Sequence, residues 1–214
     1  MGQVDMRSAE ARIQARRGEL SHSALMDWIQ QTVAKARELG ESQYLGGLVA
    51  LAAIARAAVG DAGAVAPLLT ELDQVPNVRN TLDFMRSLPD LVRVAIAAGE
   101  PELGGRLAGG LKPVYPLDQH ATLTARALLA EQHGETAEAA ALFTDAAGRW
   151  QRFEVPWEQA QALLGQGRCL LTLARPAEAR EPLHAARDIF GSLGADPVLA
   201  DVDCLLAEAT ALAG

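Results

Sequence analysis

Between Gly134 and Pro197 the chain carries one pattern twice, and this repetition constrains its fold more than any other feature. After a turn at Gly134 come Ala139, Phe143 and Ala146; after a turn at Ala174 come Ala179, Leu183 and Ala186, again at spacings of four and three. Residues so spaced share one face of an α-helix. A stripe that runs small, large, small lets that helix nest against its partner and against the first helix of the next pair. The spacing predicts helical hairpins stacked in series.

The rest of the sequence agrees with an all-α class. Of its 214 residues 50% are hydrophobic but only 4% aromatic, with Ala and Leu dominant, a composition that suits close-packed helices better than strands. Turns at Gly18, Gly60, Gly99, Gly134 and Ala174 recur at intervals of 42, 39, 35 and 40 residues. The expected architecture is about five hairpins (4–39, 42–74, 77–110, 117–152 and 156–193) plus a closing helix, 197–212, in a single domain spanning 1–214.

Several local expectations follow. The first helix spans about Val4 to Arg17, with Met6, Ala9, Ile13 and Ala15 or Arg16 loosely on one face and Gly18 as its stop. Ser21 or Ser23 caps the second, which Gly40 ends. The helix from Ser42 is apolar on nearly every side and should be buried between neighbours. Pro76 closes the second hairpin, and Asn77 can cap the helix that follows. Pro89 should kink or split that helix near Ser87. Gly104, Gly105, Gly109 and Gly110 should leave its partner short and weak. Asp196 caps the closing helix, with Pro197 at its first position.

Composition also excludes function classes. A formal charge of -8 and only two lysines, Lys35 and Lys112, argue against a nucleic-acid surface. Cys169 and Cys204 show no CxxC spacing, so neither a disulfide framework nor a zinc site is expected. The opening residues carry charges where a signal peptide needs its apolar core, and no apolar run is long enough for a membrane span, so a cytoplasmic, membrane-free protein is expected.

Three pieces carry a family resemblance. The first is Trp150, Phe153, Pro156, Trp157, Glu158 and Ala160, followed by the helix holding Leu163, Leu164, Gly165, Gly167, Leu170 and Leu171. The second is the turn Ala174, Arg175, Pro176, Ala177, Glu178 and Ala179. The third is Phe190, Gly191, Ser192, Leu193, Gly194 and Ala195. Together they resemble the C-terminal tetratricopeptide-like region of ATP-dependent LuxR-family (MalT-like) transcriptional regulators and of cyclase-associated predicted ATPases. Ala174 replaces the usual turn Gly, and Trp157 stands where Tyr is commoner. The clear match covers about a third of the chain. The resemblance implies a right-handed α-solenoid acting as a sensor or protein-interaction segment. It also implies a longer parent protein with attached ATPase or DNA-binding domains, motifs for which this chain does not contain.

No catalytic constellation is legible. Gly99 to Arg106 has the first spacing of a phosphate loop but lacks the Lys and Ser or Thr, so an inter-helix turn is expected. His22, His120, His133 and His184 lack metal-ligand spacing, and Asp201 and Asp203 point apart on their helix. Cys169 and Cys204 read as apolar fillers. Trp150, Phe153 and Trp157 read as a staple between neighbouring repeats in preference to a pocket. No cofactor, metal or enzyme activity is expected.

What remains is surface. The first helix of each hairpin is expected to line a concave face. The register of Ala139 and Ala179 then puts Thr124, Leu128, Glu131 and Gln132 of one repeat and Leu164, Arg168, Leu171 and Thr172 of the next on that face, with Arg86 and Arg93 in the irregular repeat. Arg suits bidentate capture of carboxylate or phosphate. The expected partner is a protein, a peptide or a small inducer. A module for self-association, with a possible homodimer, and a regulatory segment of a cyclase-type protein are the alternatives.

Overall fold

The computed structural model describes residues 2–20, 24–39 and 42–213. Its eleven α-helices among the described residues are α1 Gly2–Arg17, α2 Ala24–Leu39, α3 Ser42–Ala58, α4 Ala62–Gln74, α5 Leu82–Ala97, α6 Pro101–Ala108, α7 Pro116–Gln132, α8 Thr136–Arg152, α9 Pro156–Thr172, α10 Pro176–Leu193 and α11 Asp196–Ala213. The fold is an all-α helical repeat, with hairpin bounds within a few residues of those expected. Ser21, His22, Ser23 and Gly40 lie outside the described residues.

All five turn positions adopt the left-handed conformation: Gly18, Gly60, Gly99 and Gly134 have φ between 75 and 79°, and Ala174 has φ 56°. Each closes the same cap, in which the next N–H reaches back to the carbonyl five residues earlier: Glu19 to Gln14, Asp61 to Arg56, Glu100 to Ala95, Glu135 to Ala130 and Arg175 to Leu170, all at 2.9 Å. A left-handed residue bearing a Cβ costs about 1–2 kcal/mol, while Gly loses about 0.5–1 kcal/mol more entropy on folding. Ala174→Gly should therefore stabilise the chain by about 0.5–1 kcal/mol, read as a higher urea midpoint. An unchanged or lower midpoint would show that the turn carries no strain.

The chain divides into two compact units, Met1–Asp118 and Gln119–Gly214, where a single domain is the sequence expectation. The boundary follows Gly109–Tyr115, a stretch without helix, in which Gly110 takes a positive φ. In the first unit α3 is central and touches α1, α2, α4 and α5. Its residues from Leu48 to Ala55 are all buried, as an all-round apolar helix requires.

Three expectations in this unit need correction. Met6 and Ile13 are 71% and 50% exposed, and Ala9 is exposed, so α1 does not pack by that face; Ala11 on the opposite side is buried. Asn77 is left-handed and precedes a short 3-10 turn, Val78–Asn80; the cap of α5 is Thr81, whose Oγ1 accepts the Phe84 N–H at 3.3 Å. Finally, α5 continues through Pro89 as one helix, so Pro89 does not split it. Pro89 is buried, and its burial with Leu88, Leu91 and Val92 offsets the lost backbone bond. The partner helix α6 is short, as expected, but Gly104 has a packing role: a Cβ there would stand 3.3 Å from that of Ala95 on α5.

The second unit shows why the repeated stripe matters. Ala139, Phe143 and Ala146 on α8 and Ala179, Leu183 and Ala186 on α10 are all essentially buried, and α9 packs against both helices. Two glycines on α9 receive the large residues. A Cβ on Gly165 would lie 2.6 Å from Cζ of Phe143, and one on Gly167 would lie 2.5 Å from Cγ of Leu183.

Candidate functional site

The expected binding residues divide between surface and interior. Glu131 on α7 and Arg168 on α9 meet across consecutive first helices in a bidentate pair: Arg168 Nε donates to Oε1 and Nη2 to Oε2 of Glu131, both at 2.8 Å. Both side chains are partly exposed. Thr172 and Gln132 are exposed, and the Thr172 hydroxyl donates to the Arg168 carbonyl at 3.1 Å. These four residues are all at least partly exposed.

Thr124 is not among them. The residue is fully buried, donates its hydroxyl proton to the His120 carbonyl at 3.0 Å and accepts the Trp150 Nε1–H at 2.8 Å. A buried indole needs an acceptor, and the register that put Thr124 at the surface ignored that need. Leu128, Leu164 and Leu171 are buried as well. Trp150 also stands edge-on to His120, at 5.4 Å, and to Phe153, while Trp157 meets Phe190 at 5.4 Å. These contacts join the two helices of one hairpin in each case, Trp150 to α7 and Trp157 to α10, where a staple between neighbouring repeats is the sequence expectation.

The neighbouring Cys169 is buried. Burial, and then the charge of Glu131, pushes its thiol up to about 12, so it keeps its proton at neutral pH. His133 and His184 are exposed, and Asp203 pairs with Arg187. Among the described residues no group of three or more His, Cys, Asp or Glu is placed to hold a metal.

In the first unit Arg86 is exposed, whereas Arg93 is half-buried and its Nη1 donates to Asp90 Oδ1 at 2.7 Å. Arg93 is therefore committed to an internal ion pair, which corrects its place on an open face. Asp90 also accepts from Arg16 of α1 at 3.2 Å, and beside it Arg12 donates to Ser87 Oγ at 2.8 Å. Local spacing could not reveal these contacts. Only the Arg12 and Arg16 pair, one turn apart, hinted that α1 packs by a charged stripe.

Sequence reasoning also missed a groove of about 490 Å³ between the start of α5 and the segment Gly110–Tyr115. Leu82, Val114 and Tyr115, which line it, are 60 to 69% exposed, three of the eight large apolar side chains that face solvent among the described residues. The groove's outer wall is held by Asp118, whose Oδ2 accepts the N–H groups of Val114 and Tyr115 at 3.3 and 3.2 Å. Its other end is fixed by Arg79, which pairs with Asp73 and donates to the Arg106 carbonyl at 3.0 Å. Lys112 contributes a cation to the lining. The signal available in sequence was an apolar pair, Val114 and Tyr115, held between Pro113 and Pro116.

No protein-family model matches the chain, and no curated protein is significantly similar to it. Among the described residues no helix is long and apolar enough to cross a membrane.

Proposed function

We propose that the chain is a non-catalytic helical-repeat module that binds an extended peptide segment of a partner protein, and that it serves as the sensor or interaction part of a bacterial signalling regulator. The regulator context rests on the resemblance of the Trp150 to Ala195 motifs to LuxR-family proteins. The binding role rests on one observation, the groove that gathers Leu82, Val114 and Tyr115 in solvent. Large apolar side chains clustered at the surface beside a few fixed polar groups mark an interaction site. Lys112 in the lining favours a peptide that alternates apolar residues with an acidic one. The Glu131–Arg168 face of the second unit is a separate candidate contact surface.

Panning a displayed library of random peptides against the full chain tests this reading. The expected result is an enriched apolar and acidic motif whose affinity falls at least tenfold in Tyr115→Ala, since loss of a central aromatic anchor costs about 2 kcal/mol or more. Arg168→Ala, in the other unit, should lose little or nothing. Recovery of no motif, or of peptides bound equally by both variants and the parent chain, would overturn it.

A further inference from the structure

The second unit carries most of the chain's negative charge. Residues 119–214 hold 13 Asp and Glu against 7 Arg and no Lys, which leaves -6 of the chain's formal -8. A surface of that sign draws cationic partners and speeds their approach. Such a partner also needs a place to seat, and α8, α9 and α10 together form one.

A groove of about 520 Å³ lies among these helices. On its α8 side stand Ala137, Ala140 and Ala141, whose methyl groups leave it open where side chains of leucine size would fill it. From α9, which packs against both neighbours, come Leu163, Gln166 and Leu170, spaced by three and four and so on one face of that helix. Arg168 projects from the opposite side of α9, so the groove is distinct from the Glu131–Arg168 face. The α10 side carries the charge. There Glu178 is held by Arg175 in a bidentate pair, whereas Glu181 is exposed and, among the described residues, its carboxylate makes no hydrogen bond or ion pair. The carboxamide of the half-buried Gln166 is likewise unengaged, while the Thr144 hydroxyl donates to the Ala140 carbonyl at 2.8 Å. From Ala137 to Thr144 the α8 wall is about 10 Å long, room for about three residues of extended chain.

We infer that the α8–α9–α10 groove binds an extended segment of a partner protein in which a lysine or arginine is flanked by apolar residues. The apolar side chains enter beside the alanines and rest on Leu163 and Leu170, which supplies the water exclusion that a surface carboxylate alone lacks. The cation meets Glu181, the free acid on the α10 side. Gln166 offers one acceptor and two donors, the complement of a peptide bond's N–H and C=O, so it can fix the segment's backbone between them. The inference extends the interaction-module reading to a second segment of opposite charge, on residues that the Tyr115 groove does not use.

The test pans a displayed peptide library, fixed for one central lysine and random elsewhere, against the full chain carrying Tyr115→Ala, so that the first groove does not contribute. Enrichment of apolar residues on both sides of the lysine is expected. Affinity for the winning peptide should fall about tenfold or more when Glu181→Lys is added, where like charges meet, and when Ala141→Trp is added, whose indole fills the groove. Both positions are exposed, so helicity and the unfolding midpoint should stay as they were. Binding should also weaken as salt rises, and less steeply in Glu181→Gln. A library without enrichment, or a winning peptide that binds both variants as well as the Tyr115→Ala chain, overturns the proposal. The acidic motif of the first groove is read with Tyr115 intact, so failure there and failure here are separate results.

Discussion

Phe143→Ala is expected to lower the unfolding free energy by about 4 kcal/mol, near the top of the range for a fully buried aromatic residue. The ring is 1% exposed and sits over Gly165 on the adjacent helix, so its removal opens a void between α8 and α9 that a backbone cannot fill. The more discriminating variant is Gly165→Ala. Helix propensity alone makes that change stabilising by about 1 kcal/mol. Its new Cβ would nevertheless lie 2.6 to 2.7 Å from three ring carbons of Phe143, and overpacking of this kind costs about 1–3 kcal/mol. The expected net result is a loss of about 1 kcal/mol. Gly165→Ala combined with Phe143→Leu should lose less than the sum of the two, since the smaller side chain vacates the space the methyl needs. Urea unfolding of the four proteins measures this directly, and a stabilised Gly165→Ala would show that Phe143 does not seat on that glycine.

The same pair of residues shows what a sequence of this kind discloses. The stripe of Ala139, Phe143 and Ala146 and its copy at Ala179, Leu183 and Ala186 are local, so their burial is legible from spacing, and so are the five left-handed turns, four of which carry Gly and the fifth of which, at Ala174, follows from the repeat. That Gly165 and Gly167 are the sockets for these stripes is a tertiary fact that spacing does not contain. Asn77 and Thr81 are both competent caps, and the choice of Thr81 follows from Asn77 adopting a left-handed turn instead. The face of α1 was misread for a deeper reason. Its apolar residues suggested one packing surface, but the helix is held by arginines whose partners lie 74 and 75 residues away. Among the expected site residues, Glu131, Gln132, Arg168 and Thr172 are at least partly exposed, whereas Thr124 and Arg93 are drawn inward to Trp150 and Asp90. The groove around Tyr115 was not foreseen because one of its walls is the loop Gly110–Tyr115, which carries no periodicity to read.

Those long-range arginine contacts make Asp90 the second position of large expected effect. Asp90→Asn removes the charge that neutralises Arg16 and Arg93, whose side chains are 30% and 17% exposed, and leaves them facing each other and Arg12. Loss of one partner from a largely buried ionic network costs about 3 kcal/mol. The penalty has a defined pH dependence. Burial pushes the Asp90 carboxyl up, but Arg16, Arg93 and Arg12 together outweigh it and hold the group down at about 2, below the ordinary 3.8. A carboxyl whose folded value is depressed contributes stability that is complete above its unfolded value and is lost as the pH falls toward its folded one. The gap between the parent chain and Asp90→Asn should therefore be constant from neutral pH down to about 4 and narrow as the pH approaches 2. Asp145 and Glu178 are also held low, by Arg149 and Arg175, but they titrate identically in both proteins and cancel in the difference. Unfolding midpoints of the two proteins at pH 7, 4 and 2.5 read the effect, and a gap that persists unchanged at the lowest pH would mean that the Asp90 charge does not hold α1 to α5.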